Sequence, residues 1–325
     1  MKKRSWPIAA IIVIFLLIIV ILGGMIVFGV APRPKPIASL NAPEEQVDFK
    51  DLPALMYYQA RDGARRGFRA YPSVGKDVAV LIHGVISESS IMHALAKTIS
   101  QAGMTAYSLD LRGHGGQGRS GDIDYIGQLD DDLTDFVKWV RKLKPKARIT
   151  LIGHSAGGGF ALRFAEGPYG GLFDRYLLLS PALDRTAPTY RPNAGGLASP
   201  YIPRIIALTI LNRFGIHWFD GMPVIAFAAS QNRPVIVTPI YSFRMQTNFT
   251  APGSYLADLP KVKKPISLIV GQADEVFYPE KFAPLLNPIR PDIPIMLLPK
   301  ITHTGIITVP KALKAIIAAL GPVEN

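Results

Sequence analysis

"ARITLIGHSAGGGF", residues 147–160, runs from an extended, apolar segment into a string of small residues through a serine held between glycines. The β-branched and apolar residues at 149–152 favour a buried strand, and the small residues after 155 suit a helix packed closely behind it. A strand that turns this sharply forces the turn residue out of ordinary φ/ψ space, and Gly153 and Gly157 keep neighbouring side chains from clashing there. Ser155 is then presented at the carboxyl end of its strand, where the helix beginning at Ala156 offers unpaired N–H groups. The same pattern also occurs as a plain glycine-rich turn, so the rest of the chain must supply a base, an acid and a second oxyanion donor.

Further strands are expected at "DVAVLIHG" (77–84), "MTAYSLDL" (104–111), "ARITLIGH" (147–154), "RYLLLSP" (175–181), "PISLIVG" (265–271) and "PIMLLPK" (294–300). Near-continuous apolar strands of this length are buried on both faces, which implies a mostly parallel sheet covered by helices on each side. "ALMYYQARDGARRGFRAYP" adds an antiparallel hairpin turning at Asp62-Gly63. Crossover helices fit 89–103 and 127–145, the latter with acids early, bases late and a proline stop. Residues 184–262 break this rhythm, and their apolar and aromatic content predicts a folded helical cap inserted over the sheet edge. The expected fold class is therefore α/β, a central sheet with helices on both faces plus a helical cap insertion.

The N-terminus adds one element. Residues 8–30 carry no charge, and about 23 residues at ~1.5 Å rise give ~34 Å of helix, enough to cross a bilayer. Cleaved signal peptides have shorter apolar cores, and Pro32 follows the small-residue site Gly29-Val30-Ala31, so an uncleaved anchor is expected. Lys2, Lys3, Arg4 and the terminal amine outweigh Arg33 and Lys35, which predicts a cytoplasmic N-terminus and an extracytoplasmic domain in a single-pass cell-membrane protein. The proline-rich stretch 31–45 reads as a stiff spacer, dividing the chain into an anchor and linker (1–35) and one domain (36–325). Of 325 residues, 36 are basic and 24 acidic, a formal charge of +12 that is spread without a long basic run. It reads as solvated surface with some attraction to anionic lipid, and no nucleic-acid partner is expected. Cysteine is absent, which excludes disulfides and thiolate chemistry.

A serine nucleophile needs a neutral histidine, and the histidine needs a carboxylate to fix its tautomer. Asp274 in "GQADEVF" and His303 in "KITHTG" each follow a late strand, and of the six histidines His303 alone lies after Asp274. Ser155, Asp274 and His303 are thus the expected triad, with Glu275 and Asp220 as weaker acid candidates. The second oxyanion donor is expected from the loop after the first central strand, "LIHGVISES", giving Val85 N–H beside Ala156 N–H, while His83 reads as a core histidine bonded to its own turn. Asp110, Arg112 and His114 are read as a structural turn in preference to an anion site. The acids at 122, 124 and 130–132 are read as helix N-terminal acids, and "NFT" (248–250) is a glycosylation sequon only in a glycosylating host.

"HG" (83–84), "DLRGHGGQGRS" (110–120), "GHSAGG" (153–158), "GQADEV" (271–276) and "THTG" (302–305) resemble the α/β-hydrolases of the monoacylglycerol lipase, lysophospholipase and serine aminopeptidase S33 type, over roughly residues 54–320. The resemblance implies the Ser155, Asp274 and His303 triad and a cap at the long insertion. The resulting expectation is a membrane-anchored serine hydrolase that cleaves carboxylic esters, lipid-like acyl esters above all, without a cofactor. Its partners would be an ester substrate and, through the N-terminal helix, the lipid bilayer. Small-ester, peptidase and thioesterase activities share this machinery, and a non-catalytic binding protein of the same fold is the alternative of another class. Leu211, Phe214 and Trp218 in the insertion are the candidate substrate-binding residues.

Overall fold

The computed structural model describes residues 8–29, 31–37, 47–116, 118–229, 236–251 and 253–321. Lys2, Lys3, Arg4 and the second half of the expected spacer lie outside the described residues. Helix α1 (Ile8–Val27) is 20 residues long, and its stretch Ala10–Val27 has a mean hydropathy of 3.4, long and apolar enough to span a membrane.

Strands β1 (Leu55–Gln59) and β2 (Arg65–Tyr71) form the hairpin about Asp62-Gly63. There follow β3 (Val78–Ile82), a short 3₁₀ turn leading into α2 (His93–Gln101), β4 (Thr105–Leu109), α3 (Gln128–Leu143), β5 (Ile149–His154), α4 (Ala156–Glu166) and β6 (Arg175–Leu179). After the insertion come β10 (Ile266–Gly271), α8 (Phe282–Leu286), β11 (Ile295–Leu298) and α9 (Pro310–Leu320). Among the described residues the main sheet has eight strands in the order β1-β2-β4-β3-β5-β6-β10-β11, parallel from β4 to β11 and antiparallel at β1 and β2.

Every residue of β3 is buried, and alternate side chains feed two different cores. Val78, Val80 and Ile82 join Leu151, Phe160 and Phe164 on one face, whereas Ala79 and Leu81 join Ile152, Ile99 and Ile316 on the other. Burial on both faces is why these strands read as unbroken apolar runs. Strand β3 lies between β4 and β5, with Leu81 opposite Ser108 on one side and Ile152 on the other. The chain therefore reverses its winding at β3, and the crevice beyond the carboxyl ends of β3 and β5 is where such sheets bind ligands.

The insertion departs from the helical cap read from its composition. It carries helices α5 (Ile202–Arg213), α6 (Phe243–Phe249) and the short α7 (Tyr255–Asp258), but also an antiparallel sheet of β7 (Ala198–Pro200), β8 (Pro223–Phe227) and β9 (Ile240–Ser242). The run Val224 to Phe227 is buried, and an apolar stretch this short has no period by which a strand can be told from a helix segment. Helix α5 packs on the end of α1. Arg204 donates through Nε to the Ile26 carbonyl (2.7 Å) and through Nη2 to the Gly29 carbonyl (2.9 Å), and Tyr201 donates to the Phe28 carbonyl. These are carbonyls at and just beyond the end of α1, which a helix leaves unpaired, so the insertion caps the apolar helix.

Candidate active site

Ser155 sits between β5 and α4 at φ 54°, ψ −120°, a conformation rare for any residue with a side chain. The glycines around it are there because the backbones touch. A Cβ on Gly153 would lie 2.1 Å from the Gly157 carbonyl oxygen, and one on Gly157 would lie 2.5 Å from the carbonyl oxygens of Ile82 and His83. The turn is fastened on both sides. Ser155 N–H donates to the Leu179 carbonyl (3.0 Å), and the Ser155 carbonyl accepts from Ala182 N–H (2.8 Å). Strain held in place by this many bonds presents the Ser155 side chain at the head of α4.

Two later strand ends bring the partners. His303, in the loop after β11, lies with Nε2 2.9 Å from Ser155 Oγ and Nδ1 2.9 Å from Asp274 Oδ2. Asp274, in the loop after β10, is buried, and its other oxygen accepts from Val276 N–H (2.8 Å) and Phe277 N–H (2.9 Å). Burial pushes its pKa up, but the adjacent His303 and the two amides outweigh this and hold the carboxyl below the usual carboxylate range. An ionised Asp274 needs a proton on Nδ1 of His303, which leaves Nε2 as the lone-pair acceptor facing Ser155.

The backbone of His303 is pinned as well. Its N–H donates to Glu275 Oε2 (2.9 Å), and its carbonyl accepts from His154 Nε2 (3.0 Å). Burial, with His303 alongside, pushes His154 down to about 3, so it stays neutral and serves as a donor. Glu275 thus meets the main chain of His303 and not its ring, while Asp220, in the insertion, bonds to His217 and Asn212. Neither weaker acid candidate occupies the place that Asp274 does.

On the opposite side, Gly84 follows β3 so tightly that a Cβ there would stand 3.1 Å from Ser155 Cβ. His83 Nδ1 donates to the Gly84 carbonyl (2.7 Å), and its Nε2 accepts from Leu111 N–H (3.3 Å). Burial pushes His83 down to about 4, consistent with this neutral tautomer. The Gly84 carbonyl and Val85 N–H belong to one planar trans peptide, so holding the carbonyl also aims the N–H the opposite way. Among the described residues, neither Val85 N–H nor Ala156 N–H has a hydrogen-bond partner in the protein.

Other sequence signals resolve differently. Asp110 accepts from Ser89 N–H (2.7 Å) and Arg112 pairs with Asp132, as a structural turn would. Asp122 takes Arg244 of the insertion in a two-pronged pair, and Asp130 takes Arg163 and Asn248. Asn248 of the "NFT" stretch is buried, and its carbonyl oxygen accepts from Leu129 N–H (3.0 Å), so this amide is committed to the core. Leu211 packs partly buried against the core, whereas Phe214 and Trp218 are 76% and 86% exposed, unlike the lining of an enclosed acyl channel. Sequence reasoning missed the root of the insertion as a brace: Arg191 Nε donates to the carbonyls of Asp274 (3.2 Å) and Phe277 (2.9 Å), fastening the acid loop.

The profile of the serine aminopeptidase S33 family matches residues 75–306, from just before β3 to just past His303. The chain belongs to this family of α/β-hydrolases. Among the relatives of this chain, the monoacylglycerol lipase of Mycolicibacterium smegmatis is 33% identical over 113 residues, 34% of this chain and 39% of that protein. The chain thus spans about two fifths of that relative's length, 39%. The monoglyceride lipase of Saccharomyces cerevisiae is 27% identical over 253 residues, 70% of this chain and 79% of that protein. The structure of a soluble variant of the yeast lipase in complex with a substrate analog matches with a TM-score of 0.63 at 21% identity, covering 89% of this chain and 97% of the other. Monoacylglycerol lipase of Paleococcus ferrophilus matches with a TM-score of 0.60 at 19% identity, covering 78% and 98%. The fold is that of monoacylglycerol-lipase-like ester hydrolases.

Proposed function

We propose that this chain is a membrane-anchored serine hydrolase of carboxylic esters, lipid-like acyl esters above all, acting through an acyl-enzyme. The observation that carries the reading is His303 standing 2.9 Å from both Ser155 Oγ and Asp274 Oδ2. In the first half-reaction Ser155 Oγ attacks the ester carbonyl carbon as His303 Nε2 takes its proton. The negative charge then on the carbonyl oxygen is met by Val85 N–H and Ala156 N–H. The His303 imidazolium gives the proton to the departing alcohol, leaving an acyl group on Ser155. Water repeats the sequence in the second half-reaction and releases the acid. Asp274 stays ionised throughout and stabilises the imidazolium.

The anchor reading is supported by α1 and by what lies beside its end. Ile202, Ile206, Phe214, Trp218 and Phe219 of the insertion are exposed apolar residues on or just after the helix that caps α1. A single-pass span ending at Val27 would set these side chains at the lipid surface, where Trp is favoured, and the basic residues at 2–4 support a cytoplasmic N-terminus. Residues 1–35 then form anchor and linker, and 36–325 the catalytic domain with its insertion at about 184–262. Tethering beside a bilayer favours medium or long acyl chains as substrates, since each buried methylene contributes ~0.8 kcal/mol, about fourfold in binding.

The test is fluorophosphonate labelling of the full chain in detergent, followed by p-nitrophenyl esters from acetate to decanoate below the micelle threshold. Wild type is expected to label and to show kcat/KM rising with acyl length, and Ser155→Ala to lose labelling and turnover while staying folded. An alanine variant that labels like wild type refutes Ser155 as nucleophile. A preference for acetate over decanoate leaves a small-ester carboxylesterase.

A further inference from the structure

The loop after β3 contains a residue that is in the wrong conformation for its type. Ile86 is β-branched and buried, yet its φ is +73°, in the left-handed region that β-branched residues avoid. Such a residue keeps that conformation only where its surroundings over-determine it. Both of its backbone polar groups are held, and both partners come from the insertion. Ile86 N–H donates to the Tyr241 hydroxyl (3.1 Å), and the Ile86 carbonyl accepts from Thr238 N–H (2.7 Å).

The Tyr241 hydroxyl is itself oriented. It lies 2.6 Å from His114 Nε2, and His114 Nδ1 lies 3.3 Å from the Arg112 carbonyl. Burial, with His83 adjacent, holds His114 far below the ordinary histidine range, and burial raises the Tyr241 phenol, so both are neutral. Only one proton arrangement then satisfies every group. Ile86 N–H donates to the Tyr241 oxygen, the Tyr241 hydroxyl donates to His114 Nε2, and His114 Nδ1–H donates to the Arg112 carbonyl. Tyr241 is fully buried and packs edge-on against His114 and Phe227, so the hydroxyl has little freedom to leave this line.

We propose that Tyr241 is a positioning residue for the oxyanion hole: its hydroxyl, backed by His114 and joined by Thr238 N–H, holds Ile86 left-handed and thereby fixes the Val85 peptide beside Ser155. The proposal rests on the reading of Ser155 as nucleophile and of Val85 N–H as oxyanion donor. Val85 lies between two restraints. The peptide before it is held by His83 on the Gly84 carbonyl, and the peptide after it by Tyr241 on Ile86 N–H. If the second restraint is lost, the strained residue relaxes toward negative φ, the Val85–Ile86 peptide turns with it, and the adjoining Gly84–Val85 peptide that carries Val85 N–H is left with the His83 restraint alone. Losing one oxyanion donor outright lowers kcat by about 10² to 10³, so a misaimed one is expected to lower it by roughly tenfold or more.

The test uses the full chain in detergent with a soluble p-nitrophenyl ester, rates being normalised to the fraction of Ser155 that titrates with fluorophosphonate. Tyr241→Phe keeps the ring and removes the hydroxyl. Its kcat is expected to fall about tenfold or more with KM within about twofold, and its affinity for a trifluoromethyl ketone, whose adduct carries the oxyanion, to fall by a similar factor. Ile86→Gly removes the strain, because glycine takes positive φ freely. In that background Tyr241→Phe is expected to change kcat by less than about threefold. A purely structural role would lower the titratable fraction and leave kcat per titrated site alone. The proposal is overturned by a folded Tyr241→Phe whose kcat is within twofold of wild type, or by a tenfold loss that persists in the Ile86→Gly background. The second comparison decides the matter if Tyr241→Phe alone does not fold. Failure of wild type to label overturns the nucleophile reading itself, a different outcome from labelling that Tyr241→Phe leaves unaffected.

Discussion

Asp274→Asn isolates the role of the acid with almost no change of shape. One oxygen of Asp274 accepts two main-chain amides, Val276 N–H at 2.8 Å and Phe277 N–H at 2.9 Å, and the other meets His303 Nδ1 at 2.9 Å. A carboxamide has one acceptor end and one donor end. Turning its NH₂ toward Val276 and Phe277 would oppose donors to donors and leave two buried amides unpaired, at about 1–3 kcal/mol each. The oxygen therefore stays on the amides and the NH₂ faces His303. Nδ1 must then accept, the ring proton moves to Nε2, and the atom facing Ser155 Oγ can no longer take a proton. A triad locked in the wrong tautomer loses about 10⁴ in kcat, equivalent to about 5 kcal/mol of transition-state stabilisation. Because both amide bonds survive, Tm is expected to change little. The measurement is kcat on a p-nitrophenyl ester with thermal unfolding on the same sample, beside Glu275→Gln. Glu275 holds only the His303 N–H, so that change is expected to have the far smaller effect. A loss under tenfold in Asp274→Asn, with a larger one in Glu275→Gln, would refute the assignment of the acid.

Glu166 should make stability fall with pH. Burial, with Asp258 adding to it, pushes its carboxyl up to about 8 from an ordinary 4.5, and neither carboxyl oxygen has a hydrogen-bond partner in the protein among the described residues. A folded-state pKa above the unfolded one gives stability that is complete below about 4.5 and lost as pH rises through about 8. Glu166→Gln is therefore expected to raise Tm relative to wild type at pH 9 but not at pH 5; equal shifts at both would contradict the assignment. Deleting residues 1–35 removes no strand of the sheet, so kcat on acetate esters should stay within a few fold. Tm should drop because buried Arg204 loses the Ile26 and Gly29 carbonyls, and an unchanged Tm would contradict that docking.

Much of this was legible in the sequence, for a physical reason. Strands buried on both faces cannot alternate, so β3 and β5 appear as apolar runs, and the residues just past strand ends in a parallel sheet are those that meet in one crevice. Ser155, Asp274 and His303 could be picked out because each follows such a run. The insertion obeyed no comparable rule. Its strands β7 and β9 are three residues each, too short for any period, and its working residues are defined by partners remote in the chain. Tyr241 and Ile86 are separated by 155 positions, and no motif marks either one. Asn248 shows the limit from the other side, since the "NFT" spacing is purely local and carries nothing about burial, whereas the fold buries the side chain against Leu129.

The insertion is more than a cover. Its root fastens the acid loop through Arg191, its β9 strand fastens the loop of Val85 through Tyr241, and its α5 helix fastens the apolar N-terminal helix through Arg204. The last two attachments are joined through one small sheet. Arg204 Nη1 also donates to the Pro223 carbonyl (2.6 Å) at the start of β8, and β8 pairs antiparallel with β9, which carries Tyr241. A continuous run of hydrogen bonds, through the Arg204 guanidinium, the β8–β9 ladder and the Tyr241 hydroxyl, thus leads from the end of α1 to Ile86. Buried guanidinium groups are costly to desolvate, and this one is balanced by carbonyl oxygens drawn from two separate elements, α1 with its following turn and β8. The segment that holds the loop of Val85 is therefore built on the same small sheet that grips the apolar N-terminal helix.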